Sequence, residues 1–185
     1  MCIRDRFPVR FCGANSGIFL FITPGEGILI LCTHTKTYTM VDWQEIETVL
    51  LDMDGTLLDL HFDSHFWLEH LPLRYAEIHQ LDPDEARNWL HERIIQEQGH
   101  LHWYCIDYWT RELDVPINAL KLEVADRIAF RPHVQDFLAE LKRQNIRSVI
   151  VTNAHQDSLM LKIRQTGLDQ LVDRVICSHD LGLPK

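Results

Sequence analysis

Three short apolar runs punctuate a chain that is amphipathic elsewhere: Thr48-Val49-Leu50-Leu51, Arg147-Ser148-Val149-Ile150-Val151 and Val172–Cys177. Each is too short for a buried helix and too continuous for a strand with one wet face. Such runs predict strands covered on both faces, as in a parallel sheet. The second run is preceded by Val134, Phe137, Leu138 and Leu141 at i, i+3, i+4 and i+7, the stripe of an amphipathic helix with Pro132 near its start. A further helix is predicted from about Gln156 to Gln165, stopped by Gly167 as a C′ glycine. Helix–strand–helix–strand is the rhythm of an α/β fold with a doubly wound parallel sheet.

That rhythm is interrupted between His61 and Phe130, where the pattern is helical throughout. Asp82-Pro83-Asp84-Glu85 supplies an N-cap, a proline at N1 and acids in the first turn. Leu90, Ile94 and Ile95 follow, and Gly99 is expected to end the segment. Leu101, Tyr104, Cys105, Tyr108 and Trp109 form a second apolar stripe, and Asp114-Val115-Pro116 opens another helix. The chain therefore divides into a core of residues 40–60 and 131–185 and an inserted helical cap of residues 61–130. A helical insert directly after the first strand reads as a lid.

The first strand ends on Asp52-Met53-Asp54-Gly55-Thr56. Open α/β sheets bind ligands at the carboxyl ends of their strands. Two close carboxylates there cost energy unless a cation or a proton relieves them. The pair suits phosphoryl transfer. One carboxylate attacks phosphorus and splits one hard step into two. The other gives a proton to the leaving oxygen and later takes one from water. A hard divalent cation, Mg²⁺, would hold the first carboxylate and the phosphate together.

The bulk numbers narrow this further. With 185 residues, 46% hydrophobic and 24% charged, the chain is ordinary for a soluble protein with one core. A net charge of −9 argues against a nucleic-acid backbone as partner. The cysteines Cys2, Cys12, Cys32, Cys105 and Cys177 are odd in number and show no CxxC spacing, which fits a reducing cytoplasm. The histidine pairs His61/His65 and His100/His102 lack a matching cluster and read as surface or cap residues. No segment suits a membrane span or a signal peptide.

Residues 1–39 differ from the rest. They carry +2, leaving −11 for the remainder of the −9 total. Their apolar pieces Ile18–Ile22 and Ile28–Cys32 flank Thr23-Pro24-Gly25-Glu26-Gly27. Met1-Cys2-Ile3-Arg4-Asp5-Arg6 resembles translated sequencing adapter, and Met40 stands where an initiator would. Residues 1–39 are read as a non-native, disordered extension.

Together these motifs resemble the haloacid dehalogenase superfamily of phosphohydrolases. Asp52-Met53-Asp54-Gly55-Thr56 matches its DxDGT motif, Thr152 after Val149-Ile150-Val151 its second motif, and Lys185 in Gly182-Leu183-Pro184-Lys185 its third. The inserted helices match its cap of the first type. Val41-Asp42-Trp43-Gln44, Trp103-Tyr104-Cys105, Asp107-Tyr108-Trp109, Thr152-Asn153-Ala154-His155 and Thr166-Gly167-Leu168-Asp169 narrow the resemblance to its bacterial 5′-nucleotidases acting on GMP and IMP. The resemblance implies Asp52 as nucleophile and Mg²⁺ ligand, and Asp54 as general acid/base with its carbonyl on the metal. It implies Thr152 as a phosphate donor and Lys185 as the neutralising cation, with Asn153 beside them in the phosphate site. Asp54 must then hold a proton at neutral pH, above the reference of about 3.9. The substrate implied is a small phosphate ester, a purine nucleoside monophosphate. The family's fourth motif, an acidic pair on a later strand, would fall past Lys185, so the chain reads as a fragment whose last core strands are missing and whose own activity is low.

Other residues carry less. His155 reads as a solvent-facing helix start. Asp59 and Asp63 read as cap-orienting or salt-bridging residues, and Tyr104, Tyr108 and Trp109 as cap core rather than a purine platform. Two rivals stay open: a phosphatase or phosphomutase for phosphoglycolate or a sugar phosphate, since the cap chooses the substrate, and a non-catalytic module that keeps the fold.

Overall fold

The structure is a computed structural model that describes residues 18–22, 28–32, 46–98 and 100–181; the first two stretches, Leu101 and Leu181 are described by backbone alone. Strands β1 (Ile18–Ile22), β2 (Ile28–Cys32), β3 (Thr48–Leu51), β4 (Arg147–Thr152) and β5 (Arg174–Cys177) form one sheet in the order β2-β1-β3-β4-β5. β1, β3, β4 and β5 are parallel, and β2 pairs antiparallel with β1.

The expected disordered extension is corrected over ten of its residues. Ile18–Ile22 and Ile28–Cys32 pair with each other and extend the sheet past β3. The physical reason is that the edge of β3 presents unpaired N–H and C=O groups, and an apolar hairpin is the natural partner for them. The rest of residues 1–39 lies outside the described residues.

The three predicted core strands are present. The third is shorter than its apolar run: β5 begins after Asp173, whose N–H donates to the Ser148 carbonyl (2.9 Å) and whose carboxylate accepts the Ser148 N–H (2.7 Å) and hydroxyl (3.2 Å). On β3, Val49 and Leu51 are fully buried while Thr48 and Leu50 are half-buried. One face of β3 is therefore sealed and the other only partly covered.

After β3 come the helical elements α1 (His61–His65), a π-helical turn (Phe66–His70) and α2 (Leu71–His79), which run as one rod. α3 (Pro83–Gln96) starts where predicted: one Asp82 carboxylate oxygen accepts the N–H groups of Asp84 and Glu85. α4 (Ile106–Leu113) and α5 (Ile117–Leu122) complete the insert. Gly99 lies outside the described residues. α6 (Val134–Arg143) leads into β4, and α7 (Gln156–Thr166) joins β4 to β5, ending at Gly167 with φ +66°.

Two apolar clusters result. One surrounds the sheet, from Val49, Leu51 and Met53 to Leu138, Ile150, Leu159 and Leu168. The other lies within the insert, around Phe62, Phe66, Leu90, Trp109 and Leu120, and receives Leu161 from α7. Trp109 is buried, which bears out its reading as core; Tyr104 is exposed. Between the two clusters runs a polar seam, and the site lies along it.

Candidate active site

Asp52, Met53 and Asp54 leave the carboxyl end of β3 in a tight turn. Gly55 adopts φ +78°, in the left-handed region that favours glycine. Its N–H bonds the Leu58 carbonyl (2.8 Å), while Leu57 and Leu58 both donate to the Met53 carbonyl (2.9 Å each). Arg131 clamps the turn through Nη1 to the Gly55 carbonyl (2.5 Å). Asp59 N–H bonds Ala129 O (2.9 Å) and Arg131 N–H bonds Leu57 O (3.0 Å), so the two connections between core and insert lie side by side. The turn that carries the carboxylates is thus also the root of the inserted helices.

In the parallel register Leu51 pairs with Ile150, so Thr152 leaves the sheet on the same edge as Asp52. Thr152 is buried, and its Oγ1 accepts the Ala154 N–H at 3.0 Å, leaving the hydroxyl to act as donor. Asn153 Oδ1 accepts the Ser178 hydroxyl at 2.7 Å, tying the loop after β4 to that after β5. Asp52, Asp54, Thr152 and Asn153 therefore share one edge of the sheet. Lys185 lies outside the described residues.

Two cations that the motif pattern did not single out stand at the centre. Lys162 Nζ lies 2.6 Å from Asp54 Oδ1 and 2.6 Å from Asp63 Oδ2. Lys121 Nζ lies 3.2 Å from Asp63 Oδ1 and 3.4 Å from Ser158 Oγ, and 5.0 to 5.6 Å from the ring centres of Phe62, Phe66 and Trp67. The rings add a cation–π contribution to an ammonium withdrawn from water. Both lysines are buried. The sequence held a signal for them: Lys121 sits on the stripe of Ile117, Leu120 and Val124, and Lys162 beside Leu159 and Leu161, where a charge is rarely buried without a partner. Asp63 is a salt-bridging residue, as expected; Asp59 Oδ1 accepts the His61 N–H at 2.7 Å.

The electrostatics separate the carboxylates. Burial lifts the Asp54 carboxyl above its ordinary range; Lys162 opposes this, while the nearby charges of Asp63 and Asp52 add to it. Burial also works against the Asp63 anion, but Lys162 and Lys121 outweigh it and hold that carboxyl below its usual range. Burial would lower the Lys162 ammonium, yet Asp54 and Asp63 keep it above its ordinary value. Burial lowers Lys121, whose close counter-ion among the described residues is Asp63. Asp54 is therefore pushed toward carrying a proton, the direction a general acid needs.

The donors on this edge suit a hard cation. The Asp52 carboxylate and the Asp54 main-chain carbonyl are oxygen ligands of the kind Mg²⁺ takes. The Asp54 carboxylate is engaged by Lys162.

His155 requires a correction. It does start a helix, accepting the Asp157 N–H through Nδ1 at 3.3 Å, but only 5% of its surface is exposed. The neighbouring His179 ring (4.3 Å between centroids) and the cap carboxylate of Asp107 (3.6 Å) close over it. A sequence pattern shows the cap position but not the tertiary approach of another loop.

Comparison with known proteins agrees with this geometry. The family model of the haloacid dehalogenase-like hydrolases matches residues 46–185. The chain is 39% identical over 145 residues to the GMP/IMP nucleotidase YrfG of Escherichia coli (strain K12), and equally to that of Shigella flexneri, covering 78% of this chain. It spans 65% of the length of those relatives. Among solved structures, a HAD phosphatase from Thermococcus onnurineus superposes with a TM-score of 0.67 at 22% identity, over 76% of this chain and 66% of that one, a likeness of fold. With three quarters of its length matched by the family model, this chain belongs to the haloacid dehalogenase-like hydrolases.

Proposed function

We propose that the protein is a Mg²⁺-dependent phosphomonoesterase that releases phosphate from purine nucleoside monophosphates, GMP and IMP, through an aspartyl phosphate. The observation that carries the reading is the carboxylate pair at the mouth of a parallel sheet, with Asp54 biased toward its protonated form. In the first step an Asp52 oxygen attacks phosphorus, the ester P–O bond breaks, and the leaving oxygen takes the Asp54 proton. In the second, the Asp54 carboxylate removes a proton from water, whose oxygen attacks the acyl phosphate and frees inorganic phosphate and Asp52. Thr152 donates its hydroxyl to a phosphoryl oxygen, and Asn153 and Lys185 complete the phosphate site. A bound Mg²⁺ would supply charge neutralisation between Asp52 and the phosphate.

The purine preference is supported by the 39% identity to nucleotidases. Residues 40–60 and 131–185 would act as the catalytic core and residues 61–130 as the substrate-selecting cap. Free thiols at Cys105 and Cys177 are compatible with a cytoplasmic setting. Among the described residues no helix is long and apolar enough to cross a membrane. Phosphate release should be assayed on the protein at its full encoded length. GMP and IMP are expected to be hydrolysed faster than phosphoglycolate or glucose 6-phosphate. Equal rates would reject the purine assignment. In Asp52→Asn turnover and hydroxylamine-sensitive phosphoenzyme should both vanish; near-normal activity would reject the covalent route.

A further inference from the structure

The polar seam holds a second cluster, which the phosphatase chemistry does not use. Cys105, at the start of α4 in the cap, meets His155 and His179, which follow β4 and β5 in the core. One ligand atom from each lies within 4.8 Å of the others. The cluster is more than a coincidence of residue types, because His155 is 5% exposed and its Nε2 has no hydrogen-bond partner. A buried imidazole nitrogen without a partner costs free energy unless something else satisfies it. The nearest carboxylate, Asp107 Oδ2, is 3.6 Å away.

From these contacts the geometry points to a thiolate–imidazole site for a borderline-soft divalent cation, Zn²⁺, that fastens the cap to the core. Two imidazoles and one thiolate form a ligand set that Zn²⁺ prefers and Mg²⁺ does not. Asp107 on α4 is placed to fill or second the fourth position, and with Cys105 ionised the set of one thiolate, one carboxylate and two neutral rings balances the metal's charge. Cys105 occupies the N-cap position of α4. Cys177, the other free thiol described, is engaged elsewhere: its Sγ donates to the Ala154 carbonyl at 3.0 Å.

The supporting groups are also in place. In this structure His155 Nδ1 accepts the Asp157 N–H at 3.3 Å; binding a cation through Nε2 would move the ring proton to Nδ1 and exchange that cap for a contact with Asp157 Oδ2, 3.8 Å away. The Ser178–Asn153 and Cys177–Ala154 bonds hold the two core loops together, so His155 and His179 converge without further ordering. Since Thr152 and Asn153 sit on the same loop as His155, an occupied site would pin the cap directly beside the phosphate-binding edge.

The site goes beyond the phosphatase reading, and its test does not depend on turnover. Anaerobic titration of the full-length protein with Co²⁺ should give tetrahedral d–d bands and a thiolate-to-cobalt charge-transfer band at one equivalent. Zn²⁺ should abolish the bands and excess Mg²⁺ should leave them. Cys105→Ser should remove the charge-transfer band, His179→Ala should weaken binding at least tenfold, and Cys32→Ser and Cys177→Ala should keep both. No charge-transfer band, or one that survives Cys105→Ser, or tight binding unchanged in His179→Ala, would overturn the proposal. If Cys105→Ser fails to fold, His179→Ala, on a half-buried ring, decides alone.

Discussion

Replacing Lys162 with methionine keeps the volume of the side chain and deletes its charge. The ammonium stands 2.6 Å from a carboxylate oxygen on either side, with only 3% of the side chain exposed. Carboxylate charge is spread over two oxygens, so about 4 Å is a fair separation of charge centres, worth about 4 kcal/mol per pair at an effective dielectric of about 20. Two such pairs outweigh a desolvation cost of several kcal/mol. Removal leaves Asp54 and Asp63 facing each other with Lys121 as their sole remaining close cation among the described residues. The expected loss is about 3–5 kcal/mol at pH 7.5, or a melting point lower by roughly 6–20 °C for a chain of this size. In the parent, Lys162 is raised, so its contribution is complete below the unfolded lysine value near 10.4 and is lost only as pH rises through the folded value. In the variant Asp63 loses one of the two cations that hold it low, and Asp54, already raised in the parent, is raised further. Their penalty is complete above the folded values and shrinks as pH falls toward about 4, because the folded state takes up the proton. Urea unfolding of both proteins at pH 7.5 and 5 should therefore show a gap that narrows in acid. A gap below about 1 kcal/mol at pH 7.5, the size of an exposed pair, or one that widens in acid, would refute a buried charge clasp.

Three further outcomes follow from the same contacts. Asp63→Asn removes a charge that raises Asp54, so the alkaline limb of kcat/KM should move to lower pH, while Lys162→Met should move it higher; pH–rate profiles that shift the same way would separate Asp54 from the acid role. Gly167→Ala meets open space and should cost about 1–2 kcal/mol from its positive φ alone, whereas Gly55→Ala also places a Cβ 3.1 Å from Leu60 Cδ1 and should cost more; thermal melts giving the reverse order would contradict the turn geometry. Asp82→Ala should lower stability by about 0.5–2 kcal/mol, seen as a reduced melting point, since one carboxylate oxygen caps two N–H groups.

Much of this molecule could be read without coordinates where the cause was local. Continuous apolar runs located β3 and β4, Asp82-Pro83 located the start of α3, and Gly167 located the end of α7, because strand burial, capping and left-handed backbone are set within a few residues. The carboxylate pair was legible for the same reason: its chemistry is written in adjacent positions. What was not legible depended on contacts between distant segments. Lys162 is 108 positions from Asp54, and Lys121 is 58 from Asp63. The burial of His155 was not legible because the His179 loop that covers it returns only after α7 and β5. The Ile18–Ile22 and Ile28–Cys32 pairing escaped because it depends on an open edge of β3, a property of the sheet rather than of the segment itself.

The clasp also bears on how a cap and a core act together. Asp54 belongs to the core turn, Lys162 to α7, Asp63 to the first helix of the cap and Lys121 to α5. Their bonds run in series across the seam, so the proton affinity of Asp54 depends on where the cap stands. With the cap seated, the Asp63 charge adds to burial in raising Asp54. If the cap lifts, Asp63 leaves with it, water reaches the turn, and both influences weaken, while Lys162 stays on the core helix beside Asp54. The order of the charges along the seam, with Asp54 on the core turn and its negative neighbour Asp63 on the inserted helices, is what makes that coupling possible.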